Sequence, residues 1–467
     1  MKVAFSKISI TPKDVIGKAM AGYSRPDPCL GILDEIHSYG VLIDENNQGD
    51  NKKYLLLISL DLLKVPISIA DYIKKKLKSE YNYLEPNQIL IHSTHTHSAP
   101  DLTGEFHWPG GIFNVIKGIM FGVNRNDQYI VWFTYQIVKM VRDLFNKLEP
   151  CKIAWTKKNF NPDIVINRRH PTRRSEPELG VITFRSLNDY KLIGFIINYA
   201  CHPTTLSFKN NKLSADYPGR IIYKIDELTN NEIKAIYFNG AAADLNPITT
   251  CGVDYDSLEQ DKKPIYDQLG TYEHTEKLGF IIAKEALKLA ESIKNEEYFE
   301  EIEFSSYLRN FWVPMKDHKY FSDTWLTNKL SYSLKKYLIV PITKILSEEA
   351  NFPAFVIKRR KFRINCHTVI QYIKIKVRSK TKSKEFSILT VPGELFEDLG
   401  KLIFKNSQTG KNNSFIFQNT NDWIAYLFPL KEYAEYGGYE PVASFSPLCG
   451  DYVTKEILKL FEAVKDK

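Results

Sequence analysis

The sequence predicts an α/β fold of mixed sheets flanked by helices, on three observations. Short apolar runs recur along the chain, amphipathic stretches of helical period follow several of them, and the runs end in polar loops that carry histidine or acid. With 467 residues, 43% hydrophobic and 13% aromatic, the chain can fill a large core, which excludes both disorder and a stapled mini-protein.

The runs that read as buried strands are YLLLISL (54–60), QILIH (88–92), LIGFIINYA (192–200), IKAIYF (233–238), FSILTV (386–391) and SFIFQN (414–419). Each is apolar on both faces, as strands inside a sheet are. Within 126–147, Ile130, Phe133, Ile137, Met140, Val141 and Leu144 fall at helical spacing. Leu278, Ile281, Ile282, Leu287 and Leu289 do the same within 272–294. GELFEDLGKLIFK (393–405) and the closing DYVTKEILKLFEAVKDK (451–467) also look amphipathic. The tract 298–365 reads as short strands mixed with loops, and no repeat or linker-like composition divides the chain.

The net charge is +8. Its densest runs, KRRKFR (358–363) and KIKVRSKTKSK (374–384), read as solvated strand or loop faces, with an anionic membrane surface as the alternative. No aromatic-interleaved basic motif or zinc knuckle accompanies them, so nucleic acid is not expected as a partner. The six cysteines, Cys29, Cys151, Cys201, Cys251, Cys366 and Cys449, form no CxxC pair. The opening MKVAFSKISITPKD lacks the apolar core of a signal peptide, so free thiols and a cytoplasmic location are expected. No apolar run approaches the roughly 20 residues of a membrane span. The segment HWPGGIFNVIKGIMFGV (107–123) reads as a helix on the core, with an acyl-chain groove or peripheral membrane contact as the alternative.

Five strand ends share one chemistry. QILIH leads into STHTHSAPD, LIGFIINYA into CHPTTLS, IKAIYF into NGAAADLNP, FSILTV into PGE, and SFIFQN into TNDWIAY. Ligands of open α/β sheets bind beyond the carboxyl ends of strands. On an extended chain His95 and His97 would face one side, where both could hold a metal, or one could hold it while the other moves protons. A His/His/carboxylate set leaves an open position on zinc, whose bound water has a pKa near ~7, so the local chemistry points to metal-assisted hydrolysis. Asp61, which closes YLLLISLD, is a further strand-end carboxylate expected to support the site from behind.

STHTHSAP, INYACHPTTLS, YFNGAAADLNP, TVPGELF and NDWIAYLFPLKEY stand in the order and approximate spacing of the neutral/alkaline non-lysosomal ceramidases. ISITPKD, MAGYSRPDPCLGILDEIHSYGVLID and INRRHP extend the resemblance, which runs from about residue 3 to about residue 465. It implies zinc held by His95, His202, Glu394 and Tyr426, with His97 beside the metal and Arg168 on polar groups of the substrate. It also implies amide cleavage of an N-acylated, ceramide-like lipid. Residues 1–467 would be the catalytic domain alone, without the C-terminal β-sandwich of that family. The chain departs from the family in one loop. Ala243-Asp244-Leu245-Asn246-Pro247 puts Asn246 where the family has a serine, so an acyl-enzyme on that residue is excluded. Asn246 can still donate to an oxyanion, and Asp244 would fix the loop or a histidine tautomer.

Two rival readings follow from the same residues. Amidohydrolase barrels also use H-x-H, but on a first strand, whereas strand-like segments precede it here. A degenerate relative that only binds lipid would explain the missing serine but not the retained chelators. Within the same fold the substrate could also be another amide, an ester or a sugar-linked group.

Overall fold

The computed structural model describes residues 1–23, 25, 27–45, 52–104, 126–248, 270–314, 351–360, 363–432, 440, 444 and 446–465. The apolar segment 107–123 and Cys251 lie outside these residues.

One sheet runs, in spatial order, β11 (Lys234–Asn239), β9 (Leu192–Tyr199), β8 (Glu178–Ser186), β6 (Glu149–Asn159), β1 (Lys2–Ser9), β3 (His37–Asp44), β4 (Tyr54–Leu60) and β5 (Ile89–Ser93). Its middle is antiparallel, but its two outermost pairs, β4 with β5 and β9 with β11, are parallel. A second sheet runs β13 (Glu301–Pro314), β15 (Arg363–Arg378), β16 (Ser383–Val391) and β18 (Ser414–Gln418), with β14 (Ile357–Arg360) beside β15. There β16 and β18 are the parallel pair. Three short ladders complete the fold: β2 (Gly31–Ile32) with β10 (Lys212–Leu213), β7 (Val165–Asn167) with β12 (Leu245–Pro247), and β17 (Glu394–Leu395) with β19 (Tyr426–Leu427).

Parallel pairing explains why the strand ends work together. Two parallel strands must deliver their carboxyl ends to the same side, and β5, β9, β11, β16 and β18 all belong to such pairs. Backbone and side-chain contacts then join the two sheets. Asn421 donates its backbone N–H to Ile91 O at 2.7 Å, the Asn198 amide bonds both Phe238 O and Ile416 O, and the Phe238 and Phe417 rings stack at 4.2 Å. All five loops therefore open onto one region.

Helices close the outer faces. α1 (Ile67–Glu80) and α2 (Asp127–Asn146) cover one side of the first sheet, and α3 (Asp216–Leu228) and α4 (Tyr272–Ser292) cover the other end. α5 (Glu397–Lys405) and α6 (Cys449–Ala463) lie on the second sheet. The helical patterns in 126–147, 272–294 and 451–467 match α2, α4 and α6, while Gly393–Phe396 precede α5 as extended chain.

One expectation needs correction. The tract 298–365 opens with a 14-residue strand, β13, rather than short pieces. Its buried residues change face along the strand, Ile302 and Phe304 on one side and Phe311 and Val313 on the other, and this change of phase hides a single long strand. The run 374–384 is the β15–β16 hairpin. Ile373, Ile375 and Val377 point into the core, and Lys374 and Arg378 face out to pair with Glu385 and Glu303. The five described cysteines are free and buried. No helix among the described residues is long and apolar enough to cross a membrane.

Asp61 is fully buried behind the β5 loop. Its carboxyl accepts from His37 N at 2.9 Å and from Thr94 Oγ1 at 3.3 Å. Burial pushes its pKa up to about 8, so the proton is held in the folded state. The stability from that protonated group is complete below the ordinary aspartate range and is lost as pH rises through about 8. The isosteric Asp61→Asn variant lacks this dependence. Urea denaturation at a series of pH values is expected to show wild type losing stability relative to the variant between pH 5 and 9, by at most about 1.4 kcal/mol per pH unit. Parallel curves would refute the assignment.

Candidate metal centre

β5 ends at Ser93, and the chain then turns rather than continuing extended: His95 has φ 68°. A non-glycine residue in the left-handed region is strained and persists where its surroundings hold it. Here His95 N donates to Leu62 O at 2.9 Å and Thr94 N to Leu60 O at 2.8 Å. His95 and His97 therefore converge through a left-handed turn and not through strand alternation. His202 joins them from the loop after β9, with ring centroids 4.8 Å from His95 and 5.2 Å from His97. Glu394 arrives on β17, directly after β16. All four side chains are buried.

The second nitrogen of each ring sets what the first can do. His95 Nδ1 donates to Leu63 O at 2.7 Å and His202 Nδ1 to Ala242 O at 3.2 Å. A backbone carbonyl can only accept, so both rings carry their proton on Nδ1 and turn an Nε2 lone pair inward. Those lone pairs face Glu394 Oε2 at 3.3 and 3.7 Å, and Glu394 Oε1 accepts from Trp423 Nε1 at 3.2 Å. His95 Nε2 and Glu394 Oε2 are buried with no hydrogen-bond partner among the described residues. Acceptors facing acceptors away from water need a positive group between them.

His97 Nε2 stands 3.2 Å from His202 Nε2, and the three imidazoles can offer one nitrogen each within 4.8 Å of one another. Burial first, and then the neighbouring His95, hold His97 and His202 well below the usual imidazole range. Both rings are thus neutral, the form that ligates metal. The set of imidazole nitrogens and carboxylate oxygen is one that fits a divalent transition metal.

The positions of the other expected site residues differ. Tyr426 pairs with Glu394 in parallel register, and its ring lies 5.7 Å from the Arg168 guanidinium. Arg168 Nη1 donates to Asn246 Oδ1 at 2.9 Å, and its Nε to Glu440 Oε1 at 3.1 Å. The carbonyl end of Asn246 is thereby held on the guanidinium, which turns the donating end of the amide the other way. Asp244 does not reach a histidine in any of its bonds. Its oxygens take Asn167 Nδ2 and Glu397 N, both at 2.8 Å, so it fastens the loop to the start of α5. Burial, then Glu397, push its pKa up to about 6.

Several contacts around the candidate site escaped sequence reasoning. Arg25 is buried and donates from Nη2 to His97 O at 2.6 Å, from Nη1 to Ala21 O at 2.9 Å and from Nε to Asn210 O at 2.8 Å. Gly22 has φ 97°, and a Cβ there would lie 2.5 Å from His97 Cγ, so only glycine lets the two loops approach. Arg169 bonds Glu432 and Glu440, and the partly buried His170 bonds Glu432, so that Arg168, Glu440, Arg169, Glu432 and His170 are linked in one chain. MAGYSRP and INRRHP were visible as motifs, but their partners lie 72 to 272 residues away.

The comparisons with known proteins bear on the fold and the family. The chain is similar to the crystal structure of neutral ceramidase from Pseudomonas aeruginosa, with a TM-score of 0.72 at 16% identity, over 100% of this chain and 74% of that one. It is also similar to a ceramidase complexed with C2, with a TM-score of 0.71 at 16% identity, over 100% of this chain and 75% of the other. These likenesses speak for the fold. No curated protein matches the chain. The family model described as neutral/alkaline non-lysosomal ceramidase, N-terminal, matches residues 2–247. With that match over more than half its length, and the fold that goes with it, the chain belongs to the neutral/alkaline non-lysosomal ceramidase family.

Proposed function

We propose that this protein is a zinc-dependent hydrolase that cleaves the amide bond of an N-acylated, ceramide-like lipid. The observation that carries the reading is the inward convergence of His95 Nε2, His202 Nε2 and Glu394 Oε2, of which His95 Nε2 and Glu394 Oε2 have no hydrogen-bond partner among the described residues. His95, His202 and Glu394 would hold the metal, with Tyr426 beside Glu394 as the fourth ligand. Zinc, when bound, supplies a Lewis acid that polarises a carbonyl and lowers the pKa of water.

The remaining chemistry belongs to the chain. Leu63 O and Ala242 O hold two imidazoles in the ligating tautomer. His97 is placed to take the proton of the attacking water and return it to the leaving amine nitrogen, so that water and amide become acid and amine. Asn246 donates to the carbonyl oxygen as charge develops there, and Arg168 acts through Asn246 by fixing its orientation. Arg25 and Gly22 hold His97 in place from behind. Asp244 keeps the loop that carries Asn246 in register with α5.

Asn246 in the serine position favours a reading in which the substrate differs from ceramide in the group that this residue contacts. Asn246→Ser is expected to raise ceramide turnover relative to other N-acyl substrates, and an unchanged preference would remove this residue from specificity.

The purified protein is expected to carry one equivalent of zinc by elemental analysis. His95→Ala and Glu394→Ala would each lose it, and a chelator would abolish turnover of N-acyl lipids. Chelator-insensitive turnover would defeat the mechanism. Asn246→Ala is expected to lower kcat by roughly 10²–10³-fold with little change in KM, as loss of an oxyanion donor does. Gly22→Ala, by displacing His97, is expected to lower kcat at least about tenfold while zinc content stays at one equivalent. Loss of zinc in that variant would place His97 among the ligands instead.

A further inference from the structure

Two adjoining loops carry an unusual surface. Ile16 is 68% exposed, Leu30 60% and Ile32 47%, making them the three most exposed large aliphatic side chains among the described residues. Phe208, 39% exposed, belongs to the same region. Backbone bonds place them together. Gly17 N donates to Cys29 O at 2.8 Å, Leu30 N to Asn211 O at 2.7 Å, and β2 pairs with β10 so that Gly31 faces Lys212. Asn210 N returns to Ser207 O at 3.0 Å, folding Phe208 onto the tip of that loop.

Exposed apolar side chains scattered singly need no explanation, but a gathered set marks a contact surface. The charges around this one suit an anionic partner. Lys13, Lys18, Lys209 and Lys212 are exposed there, against exposed Asp14, Asp27 and Glu35. Asp14 is already engaged by Lys18 at 3.5 Å, and Lys13, Lys209 and Lys212 have no ion pair among the described residues. The Lys209 ammonium lies 5.9 Å from the Phe208 ring centroid, so apolar and cationic groups share one tip. Protruding aliphatic and aromatic side chains among lysines, on a chain of net charge +8, fit the interface of a lipid bilayer bearing anionic headgroups.

The surface is also built into the site. Asn210, two residues past Phe208, accepts from Arg25 Nε at 2.8 Å, and Arg25 Nη2 reaches His97 O at 2.6 Å. Asn210 Nδ2 donates to Ser98 Oγ at 3.0 Å, and Ser214 N to Ser98 O at 2.9 Å. The loops bearing the apolar tips are thus bonded directly to the histidine loop.

We propose that Ile16, Leu30, Ile32 and Phe208 form the surface by which this protein seats on an anionic bilayer, with the metal centre held next to the lipid from which the substrate is drawn. The part about substrate delivery rests on the hydrolase reading, while the docking does not. The test is co-sedimentation with vesicles of phosphatidylcholine containing phosphatidylglycerol, using wild type and an Ile16→Asp, Leu30→Asp, Phe208→Asp variant. Leu402→Asp, on an exposed position of α5, serves as control. The triple variant is expected to lose at least about tenfold in binding, as the transfer cost of buried apolar side chains implies, and the control to bind as wild type. Turnover of a short, water-soluble N-acyl amine should be equal in all three, and turnover of a long-chain substrate in vesicles should fall in the triple variant alone. Wild type that stays in the supernatant, a triple variant that binds as wild type, or a patch shown by light scattering to hold two copies of the chain together would overturn the proposal. Absence of turnover of the soluble substrate in wild type would count against the hydrolase reading and leave the sedimentation result standing.

Discussion

Two backbone carbonyls decide what this molecule can hold. Leu63 O and Ala242 O each take the Nδ1 proton of a buried histidine, and in doing so turn two lone pairs toward the same carboxylate oxygen. Neither bond is strong by itself, since a single hydrogen bond contributes about 1 kcal/mol net. Their value lies in direction. An imidazole free to flip could satisfy its nitrogens locally, whereas these two cannot, and the carboxylate that faces them is itself pinned by Trp423. The rest of the architecture serves to bring those carbonyls and that carboxylate to one point.

The way they are brought there is topological. Each sheet keeps an antiparallel body and carries its parallel pairs at its ends, at both ends of the first sheet and at one end of the second. Stacked Phe238 and Phe417 and the bridging amide of Asn198 join the two sheets where the pairs end. Because the join is made by side chains packed to near-crystalline density, the spacing between loops is set far more tightly than loops could set it for themselves.

Much of this was legible beforehand, for a physical reason. Strands buried on both faces must be apolar throughout, so their ends stand out when they stop in His-Pro or Pro-Gly-Glu. α1 and α3 were not legible. α1 begins with β-branched residues, Ile67 and Ile69, after a proline, and reads as more strand. α3 carries Pro218 and Gly219 in its first turn, the residues that ordinarily end a helix. Asp216 offsets that weakness by accepting from Thr205, Leu206 and Tyr217 backbone N–H groups. The left-handed turn at His95 and the clamp of Arg25 depend on partners far along the chain, and local pattern does not encode such partners. Glu432 and Glu440 are the extreme case, since a lone acid declares nothing until its arginine is found.

That chain of charge has a consequence for how the polypeptide can be divided. Arg168, Arg169 and His170 lie inside the stretch that the family model covers, and Glu432 and Glu440 lie far beyond it. A fragment ending at the family model's boundary would keep Arg168 and Arg169 and forfeit Glu432 and Glu440, leaving buried guanidinium groups without these partners, a cost that paired burial offsets. The two stretches are therefore tied to each other, across the family model's border, by ion pairs buried in the interior.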